Sequence, residues 1–82
     1  MILVDVYIPA IDEVLDFELD EHAKVQELMR EMTEMLVRRT KSKNVEPVEN
    51  FLLYDKETGT ALSYDASLHS YGIRSGDRLM LV

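Results

Sequence analysis

The chain has no cysteine and no tryptophan among its 82 residues, and it contains only two prolines and three glycines. Without cysteine, disulfide bonds and thiolate zinc sites are excluded. All three glycines follow position 58, so a glycine-rich phosphate-binding loop is absent as well. No apolar run approaches the roughly 20 residues that span a bilayer, and the opening segment Met1–Asp5 lacks the basic region of a signal peptide. We therefore expect a cytoplasmic protein.

Positive charge is also scarce, since the formal net charge is −7. This balance argues against nucleic-acid binding, because phosphates would be repelled. The composition, 46% hydrophobic and 30% charged, is typical of a soluble globular protein, and the length suits a single domain over residues 1–82. One basic cluster remains, formed by Arg38, Arg39, Lys41 and Lys43. It either complements the carbonyl end of a helix or offers a docking site to an acidic partner.

The N-terminal third of the chain alternates between apolar and polar residues, which is the period of a half-buried strand. In residues 2–8 the inward set is Ile2, Val4, Val6 and Ile8, and in residues 14–19 it is Leu15, Phe17 and Leu19. Pro9 and the acidic pair that follows it mark a turn between the two strands. Strands joined this closely form an antiparallel hairpin.

The period changes to that of a helix from about residue 23 to about residue 39. An apolar stripe at i, i+3, i+4, i+7, i+10 and i+11 comprises Val25, Leu28, Met29, Met32, Met35 and Leu36. Three methionines on one stripe suit either an adaptable binding surface or a core. A core is favoured, because a helix that covers a small sheet buries its apolar stripe.

The remainder predicts a loop and three short strands. Residues 40–50 contain polar and charged residues and Pro47, and are predicted to form a loop. Residues 51–54 form a third strand, and 60–62 return beside it after a turn at Gly59. A tight corner at 68–73 leads into the last strand, 78–82. The predicted fold is α+β, in the order β-β-α-β-β-β.

The closing residues, Leu68-x-x-Tyr71-Gly72-Ile73-x-x-Gly76-Asp77-x-Leu79, resemble the end of a ubiquitin-like β-grasp domain. The resemblance implies that the first and last strands lie parallel in the middle of a mixed sheet and that the helix crosses one face. It implies that Tyr71 pins the preceding loop through a hydrogen bond between its hydroxyl and the backbone. It also implies burial at five positions: Leu68, Tyr71, Ile73, Leu79 and Leu81.

Within that superfamily the ending Gly72-Ile73-Arg74-Ser75-Gly76-Asp77-Arg78-Leu79 is similar to the small bacterial proteins of the YukD and EsaB kind. The resemblance implies a cytoplasmic accessory or regulatory component of a type VII secretion system, which exports proteins of the WXG class. Two alternatives stay open. A covalent modifier or sulfur carrier would need a C-terminal Gly-Gly tail, and we expect none if Val82 is the terminus. A generic scaffold domain would belong to a longer protein.

No catalytic, cofactor-binding or metal-binding set emerges from the sequence. Ser67, His69 and Ser70 are close in sequence but lack the converging geometry of a catalytic triad. His22 and His69 are too far apart in the sequence for a metal motif. The acidic residues between positions 12 and 21 lack the glycine turn of a calcium loop. We interpret them as charges that discourage strand addition at a sheet edge.

Surface recognition is therefore the expected activity, with a protein as the partner. The residues of the last strand that alternate with the buried leucines, Met80 and Val82, should point away from the helix. Leu53 joins them if Leu52 and Tyr54 point inward, and a slip of one residue would substitute Leu52 for Leu53. The predicted interaction patch is thus Leu53, Met80 and Val82, with no cofactor and no direct membrane insertion.

Overall fold

The computed structural model describes residues 1–40 and 51–82. Its strands are β1 (Ile2–Ile8), β2 (Glu13–Leu19), β3 (Leu53–Asp55), β4 (Thr60–Ala61) and β5 (Arg78–Leu81), and its helix is α1 (Val25–Thr40). Short 3-10 helices cover Pro9–Ile11 and His69–Tyr71. The predicted element order is confirmed. The predicted loop over residues 40–50, with Lys41, Lys43 and Pro47, lies outside the described residues except for Thr40, which ends α1.

The strands form one sheet in the order β2-β1-β5-β3-β4. β1 and β2 pair antiparallel over their whole length, from Ile2 opposite Leu19 to Ile8 opposite Glu13. The turn between them is the Pro9–Ile11 3-10 helix, which closes at Asp12 in the left-handed region with φ of 50°. β1 and β5 pair parallel in the centre of the sheet. Since parallel neighbours need a long crossover, the chain passes through α1 between them, as the resemblance implied.

The core lies between α1 and one face of the sheet. It is one cluster of buried apolar residues: Val4, Val6, Ile8, Phe17, Leu19, Val25, Leu28, Met29, Met32, Leu53, Leu62, Leu68, Ile73, Leu79 and Leu81. Leu15 and Leu36 pack against it and are partly buried. The predicted inward faces of β1, β2 and α1 are therefore confirmed, with one exception on the helix.

The exception is Met35, which the helical spacing placed in the buried stripe. Met35 is 48% exposed, whereas Met29 and Met32 are fully buried. Position i+10 lies at the border of the apolar stripe, and the neighbouring Thr33 is buried instead, with its hydroxyl donating to the carbonyl of Arg30 at 3.0 Å. The prediction that Met35 belongs to the core was wrong.

The first turn of α1 is capped by backbone carbonyls from a distant loop. The N–H of Val25 donates to the carbonyl of Ala66 at 2.7 Å, and that of Gln26 to the carbonyl of Tyr64 at 3.1 Å. These bonds satisfy amides that have no partner within the helix. They tie the start of the helix to the segment that precedes the C-terminal corner.

The corner at 68–73 is held by Tyr71. Its hydroxyl accepts a hydrogen bond from the N–H of Ser63 at 2.9 Å, so the implied bond between hydroxyl and backbone is confirmed. The implied burial of Tyr71 is wrong, because the side chain is 37% exposed. Tyr71 is the last residue of the 3-10 helix His69–Tyr71, and its hydroxyl reaches back to Ser63. The chain then turns at Gly72, whose φ of 72° suits glycine.

Candidate protein-interaction surface

The side of the sheet opposite α1, here called the helix-free face, carries every second residue of the strands. Side chains cross it in rows, because directly paired residues point to the same side. The first row is a pair at one end of the sheet, Leu52 and Val82. The second, called the aromatic row, consists of Val14, Tyr7, Met80 and Tyr54.

Leu52 and Val82 extend the pairing of β3 with β5 by one step. The N–H of Leu52 donates to the carbonyl of Val82, and the N–H of Val82 donates to the carbonyl of Leu52, both at 2.8 Å. The two apolar side chains therefore lie side by side, and they are 43% and 51% exposed. A contiguous exposed apolar pair of this kind marks a contact surface more often than single scattered residues do.

This arrangement corrects the predicted patch. Leu53 is fully buried, because it pairs with Leu81 on the core side of the sheet. The residue exposed on β3's N-terminal side is Leu52, the alternative that a register shift of one residue would give. Of the other two predicted residues, Val82 is exposed, and Met80 is half-buried between Tyr7 and Tyr54.

The aromatic row was only partly anticipated. The alternation of β1 placed Tyr7 on the side away from the core, but it could not show that Val14 and Met80 flank Tyr7 from the two neighbouring strands. The Tyr7 hydroxyl donates to Oδ1 of Asp12 at 3.1 Å, and this bond with the carboxylate raises the pKa of Tyr7. The Tyr7 hydroxyl is thereby tied to the turn between β1 and β2.

A charged row runs beside the aromatic row. It comprises Asp16, Asp5 and Arg78, paired in register on β2, β1 and β5, together with Lys56, whose N–H donates to the carbonyl of Arg78 at 3.0 Å. The Asp5 carboxyl, through a hydrogen bond and its charge, raises the pKa of Asp16. Acidic groups thus stand at the β2 side of the row and basic groups at the β3 side.

A shallow cleft of about 280 Å³ opens between the aromatic row and the charged row. The Nζ atom of Lys56 lies 5.3 Å from the centroid of the Tyr7 ring, within the range of a cation–π contact. Lys56 comes from the turn that follows β3, so this contact joins opposite halves of the sheet. The residues that line the cleft are Asp5, Tyr7, Val14, Lys56, Arg78 and Leu79.

The serines near His69 serve the turn that contains them. The Ser70 hydroxyl donates to the carbonyl of Ser67 at 2.7 Å, and the Ser70 N–H lies 3.2 Å from the Ser67 hydroxyl. His69 stacks on His22, with ring centroids 4.8 Å apart, a contact that the sequence spacing did not suggest. Within residues 1–40 and 51–82, no three His, Asp or Glu side chains are placed to share a metal ion.

The basic cluster is divided between described and undescribed residues. Nε of Arg39 lies 3.1 Å from Oε2 of Glu13, so Arg39 joins the end of α1 to the start of β2. Arg38 is exposed in the last turn of α1, where a cation suits the helix dipole. Lys41 and Lys43 lie outside the described residues. In that same described part, no helix is both long and apolar enough to span a membrane.

Comparison with known proteins agrees with this architecture. The family model of the protein YukD of the WXG100 protein secretion system (Wss) matches residues 3–81. Among solved structures, the chain is similar to the solution structure of the N-terminal ubiquitin-like domain in the 4931431F19Rik protein. The TM-score is 0.78 at 21% identity, over 99% of this chain and 72% of that one. This similarity shows a ubiquitin-like fold. A comparison with curated proteins gives no significant match.

Proposed function

The chain belongs to the YukD family of the WXG100 protein secretion system, and from that premise we propose that it is a non-enzymatic protein-interaction module of such a system. It acts as a single ubiquitin-like domain in the cytoplasm, as an accessory or regulatory component. Its partners are proteins, among them components of the secretion machine, and it takes no cofactor.

The exposed apolar pair Leu52 and Val82 is the observation that carries this proposal. It continues along the helix-free face into the aromatic row, so that apolar surface reaches from β3 to β2. Binding energy at protein interfaces concentrates in a few aromatic and apolar side chains that lose water on contact. Tyr7 and Tyr54, each half-buried and held by its strand, suit that role.

The lack of an enzymatic role is supported by what the polar groups of the corner do. The Ser70 hydroxyl donates to the carbonyl of Ser67, and the Ser67 hydroxyl accepts from the N–H of Ser70, so both hydroxyls are bonded to the local backbone. A nucleophilic serine would instead be hydrogen-bonded to a base within reach. A covalent modifier remains the rival reading, and intact mass measurement of the protein from its native host distinguishes the two, since conjugation would add the mass of a partner at the C-terminal carboxylate.

The proposal is tested by placing a charge in the apolar pair. Leu52→Asp should weaken the complex with a secretion-system component by about 2 kcal/mol or more, because a carboxylate would be buried in the contact. Met35→Asp is the matched control. It adds the same charge at an apolar side chain of similar exposure, 48% against 43%, but on the helix.

The measurement combines affinity capture from the native cytoplasm with thermal melting of both variants. We expect secretion-system components to be captured by the wild type and by Met35→Asp and to be lost with Leu52→Asp. Both variants should melt near the wild type, since exposed substitutions change stability by about 0.5 kcal/mol or less. Capture that survives Leu52→Asp would place the contact elsewhere.

A further inference from the structure

Lys56 and Arg78 bring two positive charges into the cleft of a protein whose net charge is −7. Neither side chain forms an ion pair with a carboxylate among the described residues, where the recorded pairs are those of Met1, His22 and Arg39. Lys56 is instead held above the Tyr7 ring. Within residues 1–40 and 51–82, both cations thus lie at the cleft without a carboxylate in ion-pair contact.

One carboxylate, Asp5, shares the cleft with these two cations. Its partner across the hairpin is Asp16, whose pKa Asp5 raises through hydrogen bonding and through its charge. The lining of the cleft therefore carries two positive charges, those of Lys56 and Arg78, against the one negative charge of Asp5. The cleft retains an excess of positive charge at its β3 side.

The volume of the cleft limits what it can hold. At about 280 Å³ it lies just below the range of roughly 300–1,000 Å³ in which whole drug-sized ligands bind. It is large enough to admit a side chain of a partner. Its other walls, Val14 and the Tyr7 ring, are apolar, so the entering group should have a short apolar stem and a charged end.

We propose that this cleft is a subsite for a carboxylate side chain of a partner protein, an aspartate or glutamate that lies between Lys56 and Arg78. The neighbouring apolar side chains of the same partner segment would lie on the aromatic row. This inference rests on the proposed function, because it assumes that a protein binds the helix-free face. It adds the chemistry of that protein: an acidic residue flanked by apolar residues.

Charge complementarity favours a carboxylate over other occupants. A basic side chain would meet two like charges and one carboxylate, and like charges brought together at an interface disfavour binding. A polyanion such as nucleic acid would be repelled by the net charge of −7. A single negative charge gains from the local cations and is least affected by the acidic remainder of the surface.

The test uses three short acetylated peptides in which leucine alternates with one other residue. That other residue is glutamate in the first peptide, glutamine in the second and lysine in the third. Each is titrated into the isotope-labelled full chain, and amide chemical shifts locate the binding and give its affinity. We expect the glutamate peptide to bind most tightly, with the largest shifts at Tyr7, Lys56 and Arg78. The preference for glutamate over glutamine should fade as salt is raised, because exposed charges are screened.

Substitutions in the cleft should change the affinity for the glutamate peptide in opposite directions, depending on the charge that is removed. Lys56→Gln and Arg78→Gln should each lower the affinity for the glutamate peptide by about twofold to fivefold, which is the contribution of one exposed charge pair. Asp5→Asn should strengthen it, because it removes the competing carboxylate. Arg30→Gln is the control, since it removes one exposed positive charge from α1 and should leave the affinity unchanged.

Equal binding of the glutamate and glutamine peptides would overturn the carboxylate subsite while leaving the apolar contact in place. Preference for the lysine peptide, or shifts confined to other surfaces, would overturn it too. If sedimentation shows that the free chain dimerises and Arg78→Gln abolishes the dimer, a second copy occupies the cleft and the proposal is wrong. The Leu52→Asp capture experiment is independent of all these outcomes, so failure of the subsite is distinguishable from failure of the proposed function.

Discussion

Two methionines on the same helix should differ strongly in how much stability their truncation costs. Met32 is fully buried in the core cluster, whereas Met35, one turn further along, is 48% exposed. Met32→Ala and Met35→Ala remove the same atoms and gain the same helix propensity. The difference between their effects on the free energy of unfolding therefore reports burial alone.

The expected magnitude follows from the groups removed. Three groups at about 0.8 kcal/mol each come to about 2.4 kcal/mol of lost transfer free energy at Met32. Because the surrounding side chains close the cavity only partly, the total should lie within the range of about 2–5 kcal/mol found for buried methionine to alanine changes. Met35→Ala should change stability by about 0.5 kcal/mol or less.

Urea unfolding followed by circular dichroism measures both values. The comparison is valid when both variants keep the wild-type slope of unfolding free energy against urea concentration. For a chain of 82 residues the total stability is about 4–12 kcal/mol, so Met32→Ala removes a large fraction of it. In thermal melting, a loss of 2 kcal/mol corresponds to a decrease of about 8–16 °C. Equal losses for the two variants would refute the orientation assigned to α1.

Two further predictions concern the corner and the charged row. Tyr71→Phe deletes the hydroxyl that accepts from the Ser63 N–H, so it should cost about 0.5–1.5 kcal/mol and speed hydrogen exchange at that amide; unchanged exchange would show that the bond does not hold the loop. Asp16→Asn removes the repulsion between Asp16 and Asp5. Because the pKa of Asp16 is raised in the folded state, the native chain binds a proton at Asp16 more readily than the unfolded chain does. The repulsion between the two carboxylates thus lowers stability above the pKa of Asp16 and is relieved as the pH falls through that pKa. Asp16→Asn should therefore raise the melting temperature by more at neutral pH than at acidic pH. An equal gain at both pH values would contradict the pairing of Asp5 with Asp16.

The sequence was most informative where structure depends on residues close together in the chain. The alternation in residues 2–8 and the helical stripe from Val25 to Leu36 correctly predicted which sides face the core. Gly59 occupies a left-handed turn with φ of 71°, as its place between β3 and β4 indicated. The C-terminal motif predicted the fold class, and both the family match and the structural similarity confirm it.

Predictions were wrong where a strand is too short, or a position too close to the edge of an apolar stripe, for sequence periodicity to fix the side-chain direction. The side of β3 that faces the core was uncertain by one residue, because β3 is only three residues long and alternation over so short a segment is satisfied by either register. Met35 was misplaced since a stripe defined by spacing has no sharp edge. Tyr71 was expected to be buried on resemblance alone, although its functional atom, the hydroxyl, was correctly assigned.

The amino-acid sequence by itself thus determined the element order, the core-facing sides of β1, β2 and α1, and the membership of the ubiquitin-like class. Only the tertiary structure decided that Leu52 rather than Leu53 lies beside Val82, and that Lys56 reaches the Tyr7 ring across Arg78. The physical reason is that periodicity records the direction of each side chain relative to its own backbone. Which side chains become neighbours depends on hydrogen-bond pairing between strands from opposite ends of the chain.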